Sequence, residues 1–286
     1  MTSDREGLPA AMGGQVTLGG EVVVNRLGFG AMRITGPGIW GEPDDRPEAV
    51  RVLRRAVELG VNFIDTAHSY GPEVSERLIA EALHPYPDGL VIATKSGLQR
   101  RGPGIWIPDG RPATIRRDCE RSLTLLRCET IDLYQLHTVD RRVPIEESLG
   151  TMVELQGEGK VRMIGVSNVS AGQLRQAQAV TGIVSVQNRY DLGSRGSDDV
   201  LAACQREDIA FLPWRPLGGG ALSRTRQLER LAAAHDASRA QVAIAWLLAR
   251  SPVMLPIPGT SSVAHLEENV AAAALRLSPE ELDRLA

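Results

Sequence analysis

The sequence predicts an α/β protein, a (β/α)8 TIM barrel carrying an N-terminal β-hairpin. Three observations lead there. Apolar stretches of strand length alternate eight times with segments of helical spacing. No Pro/Gly/Ser-rich linker divides the chain between two complete cores, so one domain is expected over residues 15–286, after a polar tail of residues 1–14. Several strand-like stretches also end in a charged or polar residue, as they do where a barrel rim carries chemistry. Strands alternating with helices run parallel through right-handed crossovers, and eight such units close a barrel where fewer suggest an open sheet.

In chain order, QVTLGGEVVVN at 15–25 alternates apolar and polar residues about Gly19 and Gly20, which predicts the hairpin. Strands are expected at 26–30, 61–65, 90–95, 131–137, 161–166, 183–187, 209–214 and 253–257. Their helices are expected at 46–59, Val74–Leu83, Pro112–Leu126, 145–156, 171–179, 197–205, in the stretch running to 249, and at 263–274. Two connections, 33–45 with Trp40 and 96–111 with Trp106, are long enough to cover a site.

Composition narrows the function classes. A hydrophobic fraction of 43% over 286 residues is ample for a large core. The formal charge of −3 comes without any basic stretch, so nucleic acid is not expected as a partner. No run approaches the roughly 18 apolar residues a membrane span needs. The opening residues have no apolar signal core, and Cys119, Cys128 and Cys204 show no metal-like spacing. Reduced thiols in a cytoplasmic protein are the simplest expectation, with Cys128 and Cys204 as packing residues.

The chemistry gathers around VNFIDTAHSYG at 61–71, a short buried strand that reaches Asp65 and opens into a loop bearing His68, Tyr70 and Gly71. The following strands end in Lys95 and His137, and parallel strands bring all of these to one rim. Taken singly, Asp65 reads as a cap, Lys95 and Asp65 as a structural ion pair, and His137 as a core histidine. Together they form a proton donor. An ammonium about 4 Å from a phenol favours the phenolate by roughly 4 kcal/mol at an effective dielectric of 20, so Lys95 is expected to lower the pKa of Tyr70. Asp65 would orient Lys95, and His137 would hold the substrate oxygen. The set contains neither a nucleophile with an adjacent base nor a cluster of metal ligands.

These residues resemble the Asp, Tyr, Lys and His tetrad of the aldo-keto reductase superfamily. LGFGAM, DTAHSYG, ATKSG, DLYQLH, GVSN, VQNRY, PLGGG and PIPGTSS follow in the family's order from residue 27 onward. The resemblance implies that a nicotinamide cofactor delivers hydride to an aldehyde or ketone while Tyr70 supplies the proton. It implies NADPH, with NADH possible, laid across the barrel mouth, and no Rossmann GxGxxG contradicts that route. Ser167, Asn168 and Gln187 would hold the carboxamide and Trp214 would stack on the ring. Gly30, Ala31, Met32 and Asp65 would lie nearby. Arg215, Pro216, Leu217, Gly218 and Gly220 would form the diphosphate loop, where glycine lets backbone approach phosphate. Ile257, Gly259, Thr260, Ser261 and His265 would line the adenosine end, with Glu268 and Asn269 on the adenine. Many members carry Lys or Arg at the positions of Gly259 and His265; this chain has neither, and Arg215 stands where the family commonly has a small residue. The closest likeness is to a bacterial subgroup that includes pyridoxal reductases, with Trp40 and Trp106 as aromatic walls for a substrate. A monomer or weak oligomer is expected. Two other readings stay open: a subunit that holds the cofactor with little turnover, and a Schiff-base lyase using Lys95.

Overall fold

The computed structural model describes residues 7–218 and 226–285. Within the expected polar tail, Pro9–Gly13 form a 3-10 helix instead. The reason is local: Ala10 is fully buried and its N–H donates to the Leu59 carbonyl, 3.0 Å. Strands β1 (Gln15–Leu18) and β2 (Val22–Asn25) form the predicted hairpin, in register from Gln15 opposite Asn25 to Leu18 opposite Val22.

The barrel follows. β3 (Phe29–Gly30) leads through a 3-10 turn to α1 (Arg46–Glu58), β4 (Phe63–Asp65) to α2 (Val74–Leu83) and β5 (Val91–Ser96) to a second hairpin. That hairpin, β6 (Leu98–Gly102) with β7 (Ile105–Pro108), occupies what was expected to be a plain loop. It precedes α3 (Pro112–Leu126). The chain continues through β8 (Ile131–Leu136), α4 (Ile145–Gly157), β9 (Val161–Ser167), α5 (Ala171–Gln178), β10 (Ser185–Arg189), α6 (Asp198–Arg206) and β11 (Ala210–Trp214). Two helices, α7 (Arg226–Ala234) and α8 (Arg239–Arg250), complete the seventh unit. α9 (Val263–Ala271) and α10 (Pro279–Arg284) end the chain.

Seven strands pair in parallel in the order β3-β4-β5-β8-β9-β10-β11. Closure falls to residues 253–257. The Phe211 N–H donates to the Val253 carbonyl and the Leu255 N–H to the Phe211 carbonyl, both 2.8 Å. On the other flank the Gly28 N–H donates to the Pro256 carbonyl, 2.9 Å. The segment therefore bridges β11 and the approach to β3, and the fold is a (β/α)8 barrel. A regular eighth ladder does not form because Pro252, Pro256 and Pro258 bring no N–H to it.

Side chains fill the barrel as a core. Phe63, Val91, Leu133, Met163, Leu212 and Leu255 meet inside it, and Val16, Leu18 and Val24 of the first hairpin pack against their N-terminal end. The hairpin is thus a plug for one end, and the C-terminal ends of the strands form the other. Helix starts follow from sequence: Asp45 accepts from the Glu48 N–H at the head of α1, and Ser170, Ser238 and Ser278 form capping boxes.

Candidate active site

Asp65 ends β4 with 2% of its surface exposed, and Lys95 lies on β5 fully buried. Lys95 Nζ donates to Asp65 Oδ2 at 2.7 Å and to the Thr66 carbonyl at 2.8 Å. The other Asp65 oxygen accepts from Gln187 Nε2, 2.8 Å, and from Gln135 Nε2, 3.2 Å. A buried carboxylate with three donors is well satisfied. Gln135 was not singled out in the sequence; its signal is its place on β8 two residues before His137, pointing inward like the alternating residues of any barrel strand.

Tyr70 lies in the loop after β4 with its ring 5.3 Å from Lys95 Nζ. Gly71 makes the turn possible: at φ +102°, any side chain there would run into Val74. Tyr70 stands edge-on to His137 at 5.9 Å and to Trp106 at 6.5 Å between ring centroids. The direction of its acidity corrects the sequence-based expectation. Burial, with Asp65 adding to it, pushes the phenol well above 10 rather than below. Lys95 cannot reverse this, because its charge is already balanced by Asp65, and burial lowers its own pKa. His137 is held well below 6.5, by burial first and then by Lys95, so its ring is neutral. Ser69 Oγ lies 3.4 Å from His137 Nδ1.

A cavity of about 620 Å³ opens over these groups. It brings together Gly30, Met32, Asp65, Tyr70, Trp106, His137, Ser167, Asn168, Gln187, Trp214, Arg215, Pro216, Leu217, Ile257, Gly259, Thr260 and Ser261. Arg33, Ile39, Leu98 and Pro258, not singled out as site residues in the sequence, also line it; Arg33 and Leu98 adjoin named motifs, Ile39 precedes Trp40, and Pro258 lies within PIPGTSS. Ala31, Lys95, Gly218, His265, Glu268 and Asn269 lie outside this lining. Lys95 is sealed behind Tyr70 and Asp65, which leaves the Schiff-base reading without an accessible nucleophile. Ala31 is buried, its carbonyl accepting from Ser75 Oγ at 3.1 Å. Gly220 lies outside the described residues. Trp40 is corrected as a cavity wall: it pairs through its backbone with Gly71 and packs on Arg100 instead.

One side of the cavity is amide-rich. Ser167 Oγ donates to the Gln187 carbonyl, 2.7 Å, and Asn168 Nδ2 to the His137 carbonyl, 2.9 Å. Trp214 Nε1 donates to Asn168 Oδ1, 2.9 Å. Asn168 sits at φ +57°, a left-handed position that asparagine tolerates better than most residues. Such a donor and acceptor set complements a carboxamide beside a flat aromatic ring, so these residues fit a nicotinamide. Gly30 and Gly259 serve each other: a Cβ on Gly30 would lie 2.6 Å from the Ile257 carbonyl oxygen, and one on Gly259 would strike the Gly30 carbonyl. At the far end, Thr260 Oγ1 accepts from the Ser262 N–H, 3.1 Å, and Ser262 caps α9. The first amide of α9, Val263 N–H, is taken by Glu48 Oε1 at 3.0 Å.

The chain matches the Aldo/keto reductase family over residues 26–286. It is 47% identical over 285 residues to an uncharacterised oxidoreductase of Schizosaccharomyces pombe, covering 99% of this chain and 92% of that one. It is 44% identical over 272 residues to pyridoxine 4-dehydrogenase of Escherichia coli, covering 93% of this chain and 95% of that one. Its fold is similar to the glycerol dehydrogenase of Gluconobacter oxydans, with a TM-score of 0.87, 28% identity and coverage of 96% and 95%. It is likewise similar to an aldo-keto reductase of Klebsiella pneumoniae in complex with NADPH, with a TM-score of 0.82, 29% identity and coverage of 95% and 93%. Barrel and site thus define an oxidoreductase. This chain belongs to the aldo/keto reductase family.

Proposed function

We propose that the protein reduces an aldehyde or ketone to the alcohol with NADPH, taking the proton from Tyr70. The observation that carries this reading is a buried phenol, with its proton held firmly, in a cavity whose lining also includes a neutral histidine and an amide-rich wall. NADPH, when bound, supplies the hydride. Ser167, Asn168 and Gln187 bind its carboxamide, and Trp214 is fixed against its ring by the bond to Asn168. Arg215, Pro216, Leu217 and Gly218 take the diphosphate; Thr260, Ser261 and His265 take the 2′-phosphate, with Glu268 and Asn269 toward the adenine. With no lysine or arginine at Gly259 or His265, and with Glu48 already on the first amide of α9, NADH serves as a weaker second cofactor.

The residues divide the work. Neutral His137 and Tyr70 orient the carbonyl oxygen. Tyr70 keeps its proton until charge develops on that oxygen, then gives it up beside the Lys95 ammonium, which Asp65 holds in place. Met32, Leu98 and Trp106 exclude water from the carbonyl face. The relative named for pyridoxine points to pyridoxal or a similar aromatic aldehyde, and Trp106 supplies a flat wall for it. We assign the active unit to one domain of residues 15–286, a monomer or weak oligomer. We place it in the cytoplasm, where the free thiols of Cys119, Cys128 and Cys204 stay reduced.

Tyr70→Phe tests the reading. Turnover with pyridoxal and a panel of small aldehydes is expected to fall by about 10²–10⁴-fold, the worth of a positioned general acid. NADPH binding, followed by fluorescence titration, is expected to stay unchanged. Turnover near the wild-type rate would overturn the assignment of the proton donor.

A further inference from the structure

Behind the catalytic rim, the outward side chains of β5 meet helices α2 and α3. Thr94 Oγ1 donates to Glu76 Oε1 at 2.6 Å, and Ser96 Oγ to Asp118 Oδ2 at 2.7 Å. Both carboxylates are fully buried. His68 lies between them, with Nδ1 3.6 Å from Glu76 Oε2 and Nε2 3.7 Å from Asp118 Oδ1. Asp118 has further donors in Gln99 and Arg117, but Glu76 Oε2 and His68 Nδ1 have no hydrogen-bond partner among the described residues. Asp118 pairs with Arg117 at 2.7 Å, but Glu76 has no ion-pair partner other than His68 among the described residues, and a buried carboxylate left so would be costly unless the imidazole is charged. The same residue is fixed through its backbone, its N–H donating to the Lys95 carbonyl, 3.2 Å, and its carbonyl accepting from the Glu73 N–H, 2.9 Å.

We infer that protonated His68, clipped between Glu76 and Asp118, is a positioning residue that seats the 66–71 loop and so aims Tyr70 into the cavity. The inference rests on Tyr70 being the proton donor. The charged groups facing His68 are Glu76 on α2, Glu73 just before it, and Asp118 on α3; Arg117 is bound to Asp118, and Arg121 to Glu73. Burial pulls the imidazole pKa down, but Glu76, Asp118 and Glu73 together carry it above 6.5. A raised folded-state pKa means that the clip is complete at low pH and is lost as pH rises through that value. His137 lies well below 6.5 and Tyr70 well above 10, so neither titrates in that window. Lys95, whose pKa burial lowers from the alkaline side, is the other group that can limit turnover as pH rises, so an alkaline fall reports His68 where its midpoint coincides with that of the His68 resonance.

The test follows imidazole and tyrosine resonances by NMR across pH, alongside kcat and KM, in the wild type, His68→Gln and the isosteric Glu76→Gln. In the wild type, the resonance absent from His68→Gln titrates above 6.5, and kcat falls with the same midpoint while KM for NADPH holds steady. Glu76→Gln moves both midpoints down together. His68→Gln removes the alkaline limb: its kcat lies about tenfold below the wild-type plateau at low pH, equivalent to ~1.4 kcal/mol, and meets the wild-type curve at high pH, where the clip is already lost. A His68→Gln enzyme with wild-type kcat and an unchanged limb overturns the inference, as does a His68 resonance titrating at or below 6.5. A wild type without carbonyl turnover overturns the proton-donor reading alone; the clip then stands if the His68 and Tyr70 resonances shift together with pH, and falls if they do not.

Discussion

Asp65 collects Lys95, Gln187 and Gln135 on its two oxygens, and that concentration of polar contact in an apolar interior fixes what each residue can do. Removing only the cation leaves a buried carboxylate uncompensated, which typically costs about 3–5 kcal/mol. Lys95→Met is accordingly expected to lower the midpoint of thermal unfolding as well as to abolish turnover, and calorimetry beside an activity assay checks both. A variant that loses activity without losing stability would show that the pair is not the anchor described here. The tetrad was legible because charged residues ending apolar strands have few structural uses. Gln135 was not, since an amide within a strand reads as a solvent-facing position until the register is known. The direction of the Tyr70 pKa was not legible either, because it depends on how completely Asp65 neutralises Lys95.

Among the elements, the β6–β7 hairpin departs furthest from its expected form. Pro103 and Gly104 give it a tight turn, but the polar run Gln99–Arg101 hides the strand alternation that would have revealed it. Arg100 fastens it. Its guanidinium carbon lies 3.8 Å from the centre of the Trp106 ring and 5.5 Å from that of Trp40. Its nitrogens donate to the carbonyls of Ile39, 2.7 Å, Gly38, 3.0 Å, and Gly102, 3.2 Å. Trp40 thus serves the substrate wall at one remove, by backing the arginine that backs Trp106. Arg100→Met keeps the apolar stem but frees the hairpin. It is expected to raise KM for an aromatic aldehyde about tenfold, ~1.4 kcal/mol, with the NADPH dissociation constant unchanged. Steady-state kinetics and a binding titration separate the two. The closing segment 253–257 was legible as a strand by its apolar run, and the prolines within and beside it explain why it bonds at single points only.

At the scale of the whole molecule, eight repeats of one pattern made the barrel readable, because each unit carries its own hydrophobic period. What the pattern could not give was the burial of Ala10 or the seat of the first hairpin, both set by tertiary contact. Leu18 of that hairpin is fully buried in the barrel interior. Leu18→Ala is expected to cost about 2–5 kcal/mol of stability with kcat unchanged, since the change lies at the end of the barrel opposite the chemistry; denaturant unfolding and turnover at saturation test this.

The packed interior also makes the barrel a cul-de-sac. Everything that enters the cavity leaves by the doorway it came through, so traffic must queue. Whatever lies against the inner wall has to arrive first and depart last, and an outer guest can trap it there. The layer of core side chains beneath the rim, Phe63, Leu133 and Leu212 among them, thereby sets the one side from which the site is entered.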